Sequence, residues 1–475
     1  MGVMSEVSAP DGATGQLVTW VHGLSWSDVP TEVRERATHL FLDGLACALV
    51  GAQLPWSRIG LDAVLRIEAT GDVAVIGTGR RTSAPAAVLL NSSFIQGFEL
   101  DDFHPLAPLH SASLLIPSLL ATATAATTGE DLLLAFLVGL EVGPRIGYSL
   151  GGTEMLQRGW HSGPVFGGIA AALACGKLRG LDPAALEDAV GFAATQSAGL
   201  MSAQYEAMGK RMQHGFAARN GFYAAGLASG GYTGIDQVLE RRYGGFLAVY
   251  GEGHETDLDA ITRGLGEHWE TSLIMVKSWA VMGGLHGAVQ ACQTLRDSLA
   301  DRDSVSEIAQ IHIRVGSVVY HHGWWQPERP LTAIGGQMNI GYAAAVTLLD
   351  GTALPEQFTA ARLDADDVWR LLALTNVELD TAIDELVLTE RFQTHVTITF
   401  TDGSTVSQSV IAPHGNPFDP ITNDEVVTKY RALVGRVVDA ERTTDIETAA
   451  LGLAHAATLE PLLSLLAPAV GRAID

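Results

Sequence analysis

The chain has 475 residues, 47% of them hydrophobic and only 17% charged, with a formal net charge of −24 from 29 basic and 53 acidic side chains. That length exceeds one ordinary core and predicts two or more lobes, and the low charge share implies a large buried fraction or a surface hidden in an oligomer. The acidic balance excludes a nucleic-acid partner, which needs a basic face, although screening beyond roughly 8 Å lets a local basic pocket hold an anion.

Cys47, Cys175 and Cys292 have no CxxC spacing. That predicts neither a disulfide framework nor a zinc cage, and it fits a reduced, cytoplasmic protein. Met1 to Gly15 has no charged segment followed by an apolar core, so it does not read as a secretory signal. No apolar run reaches the ~18 residues of a membrane span without Gly, Pro or charge, so no membrane partner is expected. The most apolar stretch, Leu114 to Ala126, contains Pro117 and reads as buried helix.

From the N-terminus to about residue 275, apolar residues recur at helical spacing and Ala is abundant. Pro30 to Val50 places Val33, Ala37, Leu40, Phe41 and Ala48 on one face, with Gly44 among them. Asp131 to Gly143 is a second helix, predicted to stop before Pro144. Pro164 to Leu178 is a third, with Gly167-Gly168 suited to close helix packing. Pro183 to Thr195 follows an Asp182-Pro183 start, an N-cap with proline at the first helical position. Beyond 275 the pattern changes. Ile308 to Val319 alternates and is β-branched. Thr394 to Phe400, Asp402-Gly403 and Ser404 to Ile411 predict a hairpin. Gly341 to Leu349 and Ala365 to Leu374 lie between them as helices, and the tail from Asn423 reads as helix. The predicted fold is mainly α: a large helical domain over 1–275, a smaller α/β lid domain over 276–412, and C-terminal helices over 413–475 returning to the first domain.

Chemically loaded residues cluster in five places. Leu100 to Ser111 holds Asp101, Asp102, His104 and His110 in a segment broken by Pro105 and Pro108. Buried titratable groups are expensive unless paired or functional. His161 lies in Gly159 to Gly163, ahead of a helix, where the positive dipole end disfavours imidazolium. Gln204-Tyr205 leads to Lys210-Arg211 and His214. Lys277-Ser278-Trp279 leads to a glycine-flanked His286. Tyr320-His321-His322 follows a strand and reads as a loop. Each also has a plainer reading: Asp101 and Asp102 as helix caps, Lys210 and Arg211 as a solvated face, His321-His322 as peripheral. Asp102, His104 and His110 lack HExxH-type spacing, so no metal site is predicted. There is no GxGxxG after a strand, no P-loop and no GxSxG elbow.

The wording of these segments carries a resemblance. LDGLACALVGA (42–52), LDDFHPLAPLHSAS (100–113), GWHSG (159–163), GLMSAQY (199–205), KRMQHGFAARNG (210–221), LERRYGGFL (239–247) and ERPLTAIGGQM (328–338) resemble the MmgE/PrpD family from about residue 16 to 465. Within it they are most similar to the fungal branch that decarboxylates cis-aconitate to itaconate. The resemblance implies a homodimer and a small tricarboxylate substrate. It implies an active site between helical and lid domains, with no metal or organic cofactor. It implies catalytic roles for Asp102 or its neighbour Asp101, and for His110, His161, Lys210, His286 and Tyr320. His104, Gln204 and Tyr205, with Asp101 and Lys210, are expected around the substrate. Phe103 stands where other branches have Thr, and Trp279, Val281 and Met282 replace a Tyr and Cys pair. The alternatives are 2-methylcitrate dehydration, an iminodisuccinate epimerase-like reaction on a related acid, or a non-catalytic helical scaffold.

Overall fold

In the computed structural model, residues 6–298, 302–387 and 390–474 are described. The Ala-rich stretches form the helices of the larger lobe because their small side chains let backbones meet. The helix Gly209–Ser229 crosses Gly168–Leu178. A Cβ on Gly221 would lie 2.5 Å from the Gly168 carbonyl oxygen, so only glycine permits that approach. Thr31–Gly51 is buried on nearly every side over its second half, and its buried Leu and Phe side chains each contribute about 1.5–3 kcal/mol. Asp182 caps Pro183–Ala194, its carboxylate accepting from Ala185 N at 2.9 Å. A short antiparallel pair, β1 (Val73–Val75) and β2 (Arg80–Thr82), lies beside Ala84–Ile95.

The smaller lobe holds a four-stranded sheet of β3 (Ile308–Val315), β4 (Thr375–Leu379), β5 (Thr394–Phe400) and β6 (Thr405–Val410) in the order β4-β3-β5-β6. β3 and β4 are parallel; the other pairs are antiparallel, with Ile311 opposite Ile398 and Ile313 opposite Val396. Those residues form the face that packs on helices, while β6 at the edge alternates between exposed and half-buried. Gly403 takes φ +83° in the hairpin turn, as the Asp-Gly pair predicts. The tail helices Asn423–Val434 and Ala440–Leu451 pack on Thr31–Gly51 of the larger lobe. The architecture is mainly α with a smaller α/β lobe.

Three local expectations are corrected. The helix Gly129–Ser149 runs through Pro144, because burial on both sides of the proline offsets a cost of about 3 kcal/mol. Gly163–Gly167 forms a π turn before Gly168–Leu178 instead of a regular first turn. Tyr320-His321-His322 is not a loop but part of the helix Ser317–Gly323, which the alternation of β3 conceals. Gly129–Ser149 is also long and apolar enough to cross a membrane, yet it is buried within the protein.

Candidate active site

A cavity of about 910 Å³ lies between the lobes. It falls in the size range of small-molecule sites. The larger lobe lines it with Glu99, His110, His161 and Lys210, and the smaller lobe with Lys277 and His322. Phe103, Met282 and Met338 supply apolar wall.

The loop from Glu99 to His110 is held at several points. Glu99 ends a short helical turn in the left-handed region, φ 54° and ψ 35°, a strain of about 1–3 kcal/mol for a non-glycine residue. Two ammonium groups hold it there. Its Oε1 accepts a short hydrogen bond from Lys210 Nζ, and its Oε2 accepts from Lys277 Nζ at 2.9 Å. Phe103 pairs with Met275 through N–H to C=O bonds of 2.9 and 2.8 Å, which ties the loop to the segment leading to Lys277. His104 N donates to the Leu109 carbonyl at 3.0 Å and closes the proline-broken turn. Lys429 reaches in from the tail, donating to the Leu100 carbonyl at 2.6 Å and pairing with buried Asp43 at 2.7 Å.

His110 precedes the helix Ser111–Thr122, and its Nδ1 lies 3.0 Å from Asp101 Oδ2. The other oxygen of Asp101 lies 3.7 Å from Lys277 Nζ. Asp102 is fully buried, its Oδ1 accepting from Ala112 N at 2.9 Å at the start of that helix. Burial and the neighbouring Asp101 push its carboxyl well above the ordinary carboxylate range. Burial alone would raise Glu99 too, but Lys210 and Lys277 hold it well below the usual value. Burial lowers Lys210, partly offset by Glu99; for Lys277, Glu99 and Asp101 overcome burial and raise it. His161 is held well below its ordinary value by burial and then Lys210, and His214 by burial and then its neighbours His161 and His110.

Of the residues expected at the site, His110, His161 and Lys210 line the cavity. Asp101 stands behind His110. Asp102 and His104 are buried further back, His104 Nε2 lying 3.2 Å from Glu270. His286 begins the helix His286–Ser298, buried edge-on to Trp279, and does not line the cavity. Burial, then Lys277 and Lys429, push it down to about 3. Gln204 is buried away from the cavity, Tyr205 is exposed against Trp325, and Tyr320 stacks edge-on to His321.

Sequence reasoning missed Glu99 and the role of Lys277. Glu99 sits two residues before Asp101, in the same acid-rich run, and was within reach of that signal. Two plainer readings are corrected. Arg211 is no solvated face: it is buried, donates to Gly97 O at 2.7 Å and Gln337 Oε1 at 3.0 Å, and stacks on Trp56. His322 is not peripheral, because the helix Ser317–Gly323 turns it into the cavity.

The site thus offers two lysines that share one carboxylate, a histidine backed by a carboxylate, and apolar wall. This is equipment for binding an anion and moving a proton. Residues 15–259 match the MmgE/PrpD N-terminal domain and residues 279–453 the MmgE/PrpD C-terminal domain. The cavity residues are thus drawn from both matched domains and from the stretch between them. The chain is 44% identical to a cis-aconitate decarboxylase-like protein of Aspergillus oryzae, over 97% of this chain and 98% of the relative. It is 41% identical to a cis-aconitate decarboxylase of Aspergillus terreus, over 97% of each, and 25% identical to the Homo sapiens cis-aconitate decarboxylase, over 90% and 88%. With both domains matched and identity sustained from end to end, the chain belongs to the MmgE/PrpD family.

Proposed function

We propose that this protein decarboxylates cis-aconitate to itaconate and CO2. The observation that carries the reading is the Lys210–Glu99–Lys277 bridge on the same cavity as a carboxylate-backed His110. An ammonium has three N–H donors. Glu99 takes one from each lysine, which leaves donors for the two carboxylates that stay on the product. The carboxylate on the CH2 carbon lies toward the apolar wall of Phe103, Met282 and Met338, where poor solvation favours neutral CO2 over the anion.

The C–C bond to that carboxylate breaks, and its electron pair becomes the new terminal C=C bond. The pair of the old C=C bond takes a proton on the former vinylic carbon. His110 supplies it from Nε2, with Asp101 on Nδ1 fixing the ring. His161 is the second candidate. Asp102, His104 and His286, buried behind the cavity, hold its lining in place, while Gln204, Tyr205 and Tyr320 do not line it. The lobe over 276–412 serves as the lid, and no metal or organic cofactor takes part. Buried free thiols at Cys47, Cys175 and Cys292 suit a reducing cytoplasm.

A homodimer completes the reading. Phe216, Tyr223 and Leu227 form one exposed apolar stripe along Gly209–Ser229, near exposed Tyr232. Such stripes mark interaction surfaces. Light scattering after size exclusion should give twice the chain mass. An NMR time course with cis-aconitate, 2-methylcitrate and iminodisuccinate offered together tests the chemistry. Itaconate should form from the first alone; consumption of either competitor in its place rejects the reading.

A further inference from the structure

Three imidazoles sit ring against ring beside the cavity. His214 lies 5.1 Å from His110 and 4.8 Å from His161, centroid to centroid. A neutral imidazole carries one proton, and the partner of one nitrogen decides which nitrogen holds it.

Gln213 decides for His161. Leu200 N donates to Gln213 Oε1 at 3.0 Å, and the Leu200 carbonyl accepts from Gln213 Nε2 at 3.0 Å. A flipped amide would set donor against donor and acceptor against acceptor. Oε1 is therefore the atom 3.1 Å from His161 Nδ1, and an oxygen there requires Nδ1–H. Leu200 is itself fixed, because its strand-like pairing with Trp160 is flanked by His161 N to Gly199 O at 3.3 Å and Met201 N to Gly159 O at 2.9 Å. His161 lines the cavity with Nδ1 occupied, so Nε2 is the nitrogen left for a ligand.

Ser113 decides for His214. Its hydroxyl donates to the His110 carbonyl at 2.8 Å, and it has only that one proton. Donating to the carbonyl, it accepts at 2.9 Å from His214 Nδ1, which gives His214 Nδ1–H as well, since the reverse roles would leave the carbonyl oxygen against a hydroxyl lone pair. His214 Nε2 is buried without a partner. Gly163 in the π turn makes the room, since a Cβ there would come within 2.4 Å of that nitrogen.

We propose that Gln213 and Ser113 are positioning residues that lock His161 and His214 as Nδ1–H tautomers, so that both rings offer a bare Nε2, while His110 is the ring of the three with a carboxylate, Asp101, to balance the second proton that donation from Nε2 requires. The tautomers stand on geometry alone; only the donor assignment rests on the decarboxylase reading. The charges around His161 agree with the lock. Burial, Lys210 on the helix behind it and His110 beside it disfavour a second proton, the Gln213 hydrogen bond and Glu99 oppose them, and Lys277 and His322 face the same cavity from the smaller lobe.

The test is a two-bond proton–nitrogen NMR spectrum of the full chain labelled with 15N-histidine, near neutral pH. His161→Asn and His214→Asn variants identify the signals. Both rings should show a protonated Nδ1 and a bare Nε2. Gln213→Leu should release His161 to the other tautomer and lower kcat at least about 10-fold while leaving KM within about 2-fold. Gln213→Glu keeps an acceptor and should keep Nδ1–H, but its carboxylate should move the acid limb of the kcat profile up by about one pH unit or more. An Nε2–H signal for His161 in the parent overturns the lock, as does a Gln213→Leu variant with parental spectrum and kcat. Locked tautomers without itaconate formation overturn the reaction instead, and itaconate formation with an Nε2–H ring overturns the lock alone.

Discussion

At the residue scale, Lys210 and His110 carry the chemistry. Lys210→Ala removes one of two ammonium groups at the anion site and leaves Glu99 with Lys277 alone. A charge-assisted contact of this kind contributes about 1.5–3 kcal/mol, so kcat/KM should fall roughly 10- to 150-fold in steady-state assays. Unchanged constants would reduce Lys210 to a structural charge. Arg211→Ala, by contrast, should lower Tm, because the guanidinium bridges Gly97 and Gln337 in the core. His110→Gln should lower kcat by about 100-fold or more with Tm close to the parent's. Near-normal turnover would transfer the proton to another group. Asp101, His110, His161 and Lys210 were legible as residue types that are costly to bury in an apolar chain. Lys277 was not, because its function arises from an ion bridge to Glu99, 178 positions away in the chain.

At the element scale the tail helix Asn423–Val434 carries a specific burden. Its Lys429 is the partner of fully buried Asp43 and holds the Leu100 carbonyl at the base of the site loop. Lys429→Met leaves Asp43 buried and uncompensated, which costs about 3–5 kcal/mol. Denaturant unfolding should show that loss, and adding Asp43→Asn should recover much of it. A double variant no more stable than Lys429→Met alone would mean the ion pair is not the source. Elements with local signals were legible: the Asp182 cap and the Asp402-Gly403 hairpin follow from hydrogen bonds within a few residues. The π turn and the passage through Pro144 were not. Both exist because neighbouring helices bury those segments, and periodicity carries no record of neighbours.

At the scale of the whole molecule, buried histidines set the pH response. Burial and nearby lysines hold His286 down to about 3 and His322 down to about 4, and His161 and His214 well below their ordinary value. Below about pH 6.5 the unfolded chain takes up protons that the folded one refuses. Stability present at neutral pH is therefore lost as pH falls toward the folded values. Glu141, pushed up to about 7 by burial, acts in the opposite sense, as do Asp102 and Asp43, whose carboxyls burial also raises, so three buried carboxyls work against the four histidines. Tm should fall from about pH 7 to about pH 5; a rise would mean these rings are charged in the fold. The lobes themselves were legible as a change from helical to alternating periodicity, but the cavity between them was not, since it is made by docking.

The most direct measurement is the reaction run in D2O with cis-aconitate, locating deuterium in the product by NMR. Itaconate should carry one deuterium on the saturated methylene that bears a carboxylate, with none on the terminal alkene carbon. Deuterium on the alkene carbon, or turnover of cis-aconitate without release of CO2, would contradict the proposed decarboxylation.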